Sequence, residues 1–348
     1  MGRRHRKKKK ILPIIVGIAA VFVIAFAGFT VWMNSAAKPV DEGNTEQVSV
    51  TIPSGTGTGG IAQILEEKGL ISSAAVFKFQ SRSKGYDGKY KAGEYSLTAS
   101  MSMTEIMDAL VSGNVNTMRF TIPEGYTVKQ TRDKLAAEGL VNGDLFDQEV
   151  ASGQFDYRFL DGAPSGENRL EGYLYPETYD VFTTANEHDI INRMLAQFDK
   201  IFTDEFYSRA RERNLSVNEV LTIASMIERE TRVDSERAKV ASVIYNRLEQ
   251  GRKLQIDATV QYALGEQKER LLYKDLEIDS PYNTYKIEGL PPGPICSPGV
   301  ASIKAALYPE DTDYLFYVLK PELNGEHNFA ETEKQFQNYK NQYINAIK

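Results

Sequence analysis

Two glutamates one residue apart, Glu228 and Glu230 in "SMIERETRV" (225–233), close an apolar helical pattern with no cation placed to neutralise both. Such carboxyls either edge a solvated helix or, where one keeps its proton near neutral pH, supply a general acid. On a helical wheel, Val220, Ile223, Ala224 and Ile227 centre the apolar face, while Thr222 and Arg229 point toward solvent. Glu230 falls on one shoulder, between Ile223 and Met226, and Glu228 on the other, near Leu221. Periodicity alone does not choose between them. Glu228 has Arg232 four residues on, the acid-before-base order of an ordinary helix ion pair, which holds a carboxyl pKa down. Glu230 has Asp234 four residues on, and like charge together with partial burial pushes a pKa up. The physics favours Glu230 as the acid, provided that the helix runs on to Asp234; "DSER" could instead restart a helix there. Structural ion pairs also perturb carboxyl pKa values, so the solvated edge stays open at this point.

The elements that must position these groups are legible in outline. The first ten residues hold seven Lys/Arg, and Ile11 to Met33 is an uncharged run of 23 residues. At about 1.5 Å per residue that run spans a bilayer core of about 30 Å, and the basic flank keeps the N-terminus cytoplasmic. A cleaved signal peptide competes, since "NSAA" offers small residues, but its apolar region would be shorter, about 7–15 residues. The chain carries 41 Lys+Arg against 47 Asp+Glu, with seven of the cations in the basic tail, so the remainder is acidic and ill suited to nucleic acid. One cysteine, Cys296, excludes an intrachain disulfide, and three scattered histidines offer no structural zinc site.

Residues 34–47 read as a linker. A repeat follows: "TIPSGTGTGGIAQILEEKGL" (51–70) aligns with "TIPEGYTVKQTRDKLAAEGL" (121–140) at an offset of 70. Each copy runs from a short strand through a Pro-x-Gly turn into a helix closed by Gly. The first copy continues through a helix near Ala74–Ser81 and a strand near "GEYSL", a β-α-α-β order that resembles a LysM-like module. Beyond residue 187 the patterns are helical; Ser216 and Glu219 form a capping-box signature, and Gly251 is a C-terminal stop. "SPYNTYKIEGLPPGPICSPG" (280–299) packs five prolines and three glycines and reads as loop, whereas "DYLFYVLK" (313–320) reads as strand. The expected fold class is α+β. It comprises a basic tail (1–10), a single transmembrane helix (11–33), the linker, a small LysM-like module (48–118) and a larger helix-rich domain with β elements (119–348).

Five ordered blocks carry a family resemblance: "EGYLYPETY" (171–179), "ASMIERET" (224–231), "SERAKVASVIYNRL" (235–248), "LQIDATVQYALG" (254–265) and "YNTYKIEGLPPGPICSPG" (282–299). Together they closely resemble the endolytic murein transglycosylases of the MltG, or YceG-like, type. The likeness extends over nearly all of the chain beyond residue 33. It implies a lytic transglycosylase domain whose catalytic acid is the second Glu of the A-S-x-x-E-x-E-T block, Glu230 here. It also implies cleavage of the β-1,4 bond between N-acetylmuramic acid and N-acetylglucosamine, leaving 1,6-anhydro-muramic ends, with no metal or cofactor. The expected setting is the outer face of the cell membrane, on nascent peptidoglycan strands, alongside synthases and division or elongation proteins. A non-catalytic peptidoglycan-binding scaffold is the alternative, although a scaffold has no reason to keep Glu230.

The remaining candidates are substrate-binding ones. Glu171, Tyr175 and Glu177 in "EGYLYPETY" suit a glycan cleft, yet alternating Tyr is equally a half-buried strand. Glu177 could stabilise developing positive charge. Asn283 and Tyr285 precede a rigid proline loop; Asn246 and Arg247 could donate to sugar oxygens or merely cap and pair on a helix end. Asp257 could line the site or cap the following helix, and Glu228 is a further substrate-binding candidate. His327, in a Gly/Asn-rich turn, reads as a surface residue and Cys296 as incidental.

Overall fold

The computed structural model describes residues 28, 32–113, 117–183, 185–268 and 270–347. The chain forms two compact units, one ending at Met118 with residues 182–184 added, the other comprising Arg119–Val181 and Ala185–Lys348.

In the first unit, β1 (Gln47–Ile52) pairs antiparallel with β2 (Gly93–Thr98), with Val50 opposite Tyr95. Strand alternation turns Val50, Ile52, Tyr95 and Leu97 inward, where all four are buried. Helices α1 (Thr58–Glu67), α2 (Ala74–Ser83) and α3 (Met103–Ser112) add Ile61, Leu65, Phe77, Ile106 and Leu110 to the same core. The order is the β-α-α-β expected for the LysM-like module, with a third helix added after it. The expected membrane-spanning helix is corrected: among the described residues no helix is long and apolar enough to cross a membrane. Positions 11–33 lie almost wholly outside the described residues. What is described is α+β.

The second unit contains the other copy of the repeat. β3 (Thr117–Thr121) leads into α4 (Val128–Ala137) and α5 (Gly143–Ser152), and β3 pairs with β4 (Thr178–Phe182). The helix ends show the repeat in detail. Gly69 and Gly139 take φ +70° and +71°, and Leu70 and Leu140 each return an N–H to the carbonyl of Leu65 or Leu135 at 2.9 Å. Only glycine adopts that left-handed turn without strain, which is why both copies end the helix on it.

Beyond the repeat lie α6 (Glu187–Ile201), α7 (Asp204–Glu212), α8 (Val217–Glu230), α9 (Arg237–Glu249), α10 (Asp257–Leu264) and α11 (Val300–Leu307). The chain then forms an antiparallel hairpin, β5 (Phe316–Leu319) and β6 (His327–Ala330), and finishes in α12 (Glu333–Ala346). α8 starts with the expected capping box: Ser216 accepts from the Glu219 N–H, and Glu219 accepts from the Ser216 N–H. Every residue from Val220 to Ile227 is buried, including Thr222 and Ser225. The helix is therefore enclosed by α7, α9, α10 and α11 rather than half-solvated as the wheel suggests. Its polar side chains find internal partners: the Thr222 hydroxyl donates to the Asn218 carbonyl at 2.7 Å and that of Ser225 to the Thr222 carbonyl at 2.8 Å.

The proline-rich stretch is irregular, as its composition requires, but it is not a surface loop: Gly293 to Gly299 is buried throughout. A buried loop needs partners for its backbone groups. Here Ser225 Oγ accepts from the Ile295 N–H at 3.0 Å, and Asn218 donates to the Pro292 carbonyl at 3.0 Å. Ser297 exchanges two backbone bonds with the Gly125–Tyr126 turn of the repeat, at 2.9 and 2.8 Å. "EGYLYPETY" is mostly turn, with strand only from Thr178; Tyr173 is core, its ring 5.8 Å from those of Phe159 and Phe198. Gly172 lets this stretch lie against the proline loop. Its φ is +83°, and a Cβ there would meet the Pro294 side chain at 2.5 Å. Gly172→Ala should therefore destabilise the protein by at least about 2 kcal/mol, read as a lower urea midpoint at unchanged slope.

Candidate active site

Glu230 is the last residue of α8, where Thr231 turns the chain out of the helix into extended backbone (φ −111°, ψ 123°). Asp234 consequently does not stack one turn above it; it opens a separate 3-10 turn, Asp234–Glu236. The like charge beside Glu230 comes instead from Asp257, at the start of α10. The Tyr317 hydroxyl, on β5, donates to Glu230 Oε2 at 3.0 Å, and the Ala258 N–H in the first turn of α10 also donates to the carboxyl. Burial pushes the Glu230 pKa up to about 7, with Asp257 reinforcing it and Tyr317, Ala258 and Arg229 opposing. Among the described residues Glu230 makes no ion pair. It opens on a cleft of about 500 Å³, lined also by Arg229, Arg232, Tyr317, Leu319 and His327.

Glu228 has a different setting. Its Oε2 accepts from Arg237 Nη1 at 3.3 Å and from the Gly299 N–H at 3.1 Å, at the N-terminus of α11. The pair is nearly closed to water, with side-chain exposures of 10% for Arg237 and 8% for Glu228. Arg237 is held in turn by Asp234 at 3.0 Å and Ser302. The sequence spacing predicts Arg232 as the partner of Glu228; the structure supplies Arg237, because the helix has ended before Arg232. Of the two glutamates, one is tied to a cation and a helix N-terminus while the other faces a cleft.

The other candidates divide between this cleft and the scaffold around it. Asp257 and Tyr285 belong with Glu230: the Tyr285 hydroxyl donates to Asp257 Oδ1 at 2.5 Å, and the charge of Asp257 acts on Glu230. Arg247 lies behind them, donating to the carbonyls of Leu315, Lys253 and Leu254 at 2.6, 3.0 and 2.9 Å. It thereby ties the entry of β5, which carries Tyr317, to the entry of α10, which carries Asp257. Asn246 donates to the Thr312 and Tyr314 carbonyls, and fully buried Asn283 to those of Leu276 and Ile278. Tyr175 is buried beside Glu124, and Glu177 is exposed with its carboxylate on the Thr178 N–H. Glu171 sits in a second, larger cavity.

Three residues near Glu230 escaped the sequence reading. Tyr317 lies in a stretch rightly read as strand, but alternation does not say which distant carboxyl its hydroxyl reaches. Arg229 reads as a solvent-facing helix residue, yet it is half-buried and lines both cavities. His327 is buried rather than on the surface; its Nδ1 and N–H both meet the Glu236 carboxylate, at 2.8 and 3.0 Å, and its ring stands edge-on to Tyr317. Cys296 is buried and free. Among the described residues no group of three or more His, Cys, Asp or Glu could hold a metal ion.

The YceG-like family matches residues 50–342. The chain belongs to that family. It is the family that the five motif blocks indicate. An endolytic murein transglycosylase of Bacillus subtilis is 37% identical over 337 residues, which cover 93% of this chain and 92% of the relative. One from Streptococcus pneumoniae is 33% identical over 89% of this chain, which spans only 61% of that longer protein. A solved YceG-like structure from Listeria monocytogenes, 35% identical, covers 84% of this chain and 99% of its own with a TM-score of 0.56.

The opposing influences on Glu230 give two variants of opposite sign. Tyr317→Phe removes a bond that favours the charged form and should raise the Glu230 pKa, whereas Asp257→Asn removes a neighbouring negative charge and should lower it. Carboxyl titration by carbon-13 NMR, with Glu230→Gln to assign the signal, measures both shifts.

Proposed function

We propose that this chain is an endolytic murein transglycosylase in which Glu230 acts first as general acid and then as general base. One observation carries the reading: a carboxyl with no ion-pair partner among the described residues, its pKa pushed up to about 7, opens on a cleft at the end of a buried helix. The names borne by relatives that match along most of this chain support the same reaction.

The bond cleaved is the β-1,4 link from N-acetylmuramic acid to N-acetylglucosamine within a strand. Neutral Glu230 protonates the glycosidic oxygen as the bond to the muramic anomeric carbon breaks. The muramic 6-hydroxyl then closes on that carbon and yields its proton to the Glu230 carboxylate. The products are an N-acetylglucosamine end and a 1,6-anhydro-muramic end, and the enzyme recovers its proton. Ordinary glycosidases need a second carboxyl for water or as nucleophile. An attacking hydroxyl already held on the substrate removes that need, and proximity supplies much of the rate. Tyr317 and Ala258 hold the carboxyl in place, and their donated hydrogen bonds suit the anion formed midway. Murein is assembled outside the cytoplasm, so the protein works at the outer face of the cell membrane, near the synthases that extend new strands.

Digestion of purified strands, followed by mass spectrometry, tests the reading. Wild type should release anhydro-muramic ends, and Glu230→Gln should lose at least about 100-fold in rate. Because the acid must begin protonated, the rate should fall as pH rises through about 7. Reducing ends would indicate a hydrolase, unchanged activity in Glu230→Gln would remove the assigned acid, and no cleavage by wild type would leave the scaffold.

A further inference from the structure

The mechanism makes no use of the larger cavity. It measures about 1020 Å³ and lies between α4, α5 and α10, with Glu171, Tyr262 and Tyr282 among its lining residues. Arg229 lines both this cavity and the cleft that holds Glu230, so the two spaces meet at its side chain.

The charge state of that junction is unusual. The other cations of the large cavity are already committed: Lys129 pairs with Asp133 at 2.7 Å, and Arg132 pairs with Asp133 at 2.6 Å and Asp147 at 2.5 Å. Arg229 makes no ion pair among the described residues. Among the described residues its one side-chain hydrogen bond is a long one, 3.4 Å, from Nη1 to the Gly125 carbonyl. Glu171 does not supply the missing anion. It accepts from the Val128 N–H at 3.1 Å and from the Tyr262 hydroxyl at 3.3 Å, and burial lifts its pKa to about 8, which keeps it uncharged at neutral pH. Arg232, the other cation at the smaller cleft, is exposed. A half-buried guanidinium without a carboxylate presents a fork of N–H donors shaped for one.

We infer that Arg229 is the anchor for a carboxylate of the substrate, seated where the two cavities meet. This rests on the murein reading above. The sugar backbone of a glycan strand is uncharged. Its anionic groups hang from the muramic acid residue, next to the scissile bond: the lactyl carboxylate where no peptide is attached, or a carboxylate of the stem peptide where one is. Glu230 is the neighbour of Arg229 in sequence, so an anion held at Arg229 sets the muramic residue beside the acid. The larger cavity then accommodates what branches from that residue.

Binding distinguishes the two sources and does not depend on turnover. Strands are prepared bearing stems, stripped by an amidase, and stripped with the lactyl carboxylates converted to neutral amides. Their dissociation constants are measured by calorimetry on full-length Glu230→Gln protein, alone and combined with Arg229→Gln or Arg229→Lys. With Arg229 intact, one charged form should bind about tenfold more tightly than the neutral strand, and which form does so identifies the carboxylate. Arg229→Gln should abolish this discrimination and Arg229→Lys should keep part of it. Equal affinity for all three forms, or discrimination that survives in Arg229→Gln, would overturn the assignment. A wild-type protein that cleaves nothing would defeat the transglycosylase reading while leaving these affinities to decide the anchor.

Discussion

A carboxyl group holds its proton up to about pH 7 only if it is withdrawn from water and left without an ion pair, and among the described residues the end of α8 meets both conditions. Burial disfavours the Glu230 anion and Asp257 adds to the effect; Arg229 opposes it by charge but gives its hydrogen bond to the Gly125 carbonyl. Full enclosure would make the group useless, because no strand could reach it. The compromise is a helix buried along its length whose last residue emerges at a cleft. Two donors, Tyr317 and Ala258, prevent the pKa from climbing so far that the anion could not form during reaction.

The glutamate two residues earlier shows how much the surroundings decide. Glu228 and Glu230 share a helix and a residue type, yet Glu228 spends both its charge and its acceptors on Arg237 and on the backbone where α11 begins. Separating one partner from such a closed pair would leave a buried charge uncompensated. The proline-rich segment depends on the same helix, since Asn218, Ser225 and Glu228 satisfy backbone groups of a loop that has no secondary structure of its own. Arg247 performs the corresponding service on the opposite side, joining the entries of β5 and α10. Residues with the look of sugar ligands in the sequence thus hold in place the residues that surround Glu230.

Much of this is legible in the sequence. The capping box at Ser216, the paired helix stops at Gly69 and Gly139 and the strand around Tyr317 are local effects, carried by residues within a few positions of one another. Spacing favours Glu230 as the acid partly for a reason that folding removes. Spacing assigns the upward push on Glu230 to Asp234 across a helical turn that the structure does not contain, while Asp257 supplies the like charge. The helical wheel also places Thr222 in solvent, where the structure buries it, because a period of 3.6 reports one apolar face and cannot register helices packed on all sides.

The sequence by itself determined the α+β class, the repeated strand, turn and Gly-closed helix, the motif blocks of the family and the short list of carboxyls able to act. Those follow from spacing along the chain, where hydrogen bonds and side-chain periodicity are short-ranged. Tertiary structure alone decided which cation Glu228 meets, that Tyr317 and Asp257 flank Glu230, that His327 is buried, and that Arg229 stands between two cavities. A pKa depends on distances to charges, donors and water, and the groups that set it for Glu230 lie as far as 87 residues away in the chain. Only folding brings them within reach.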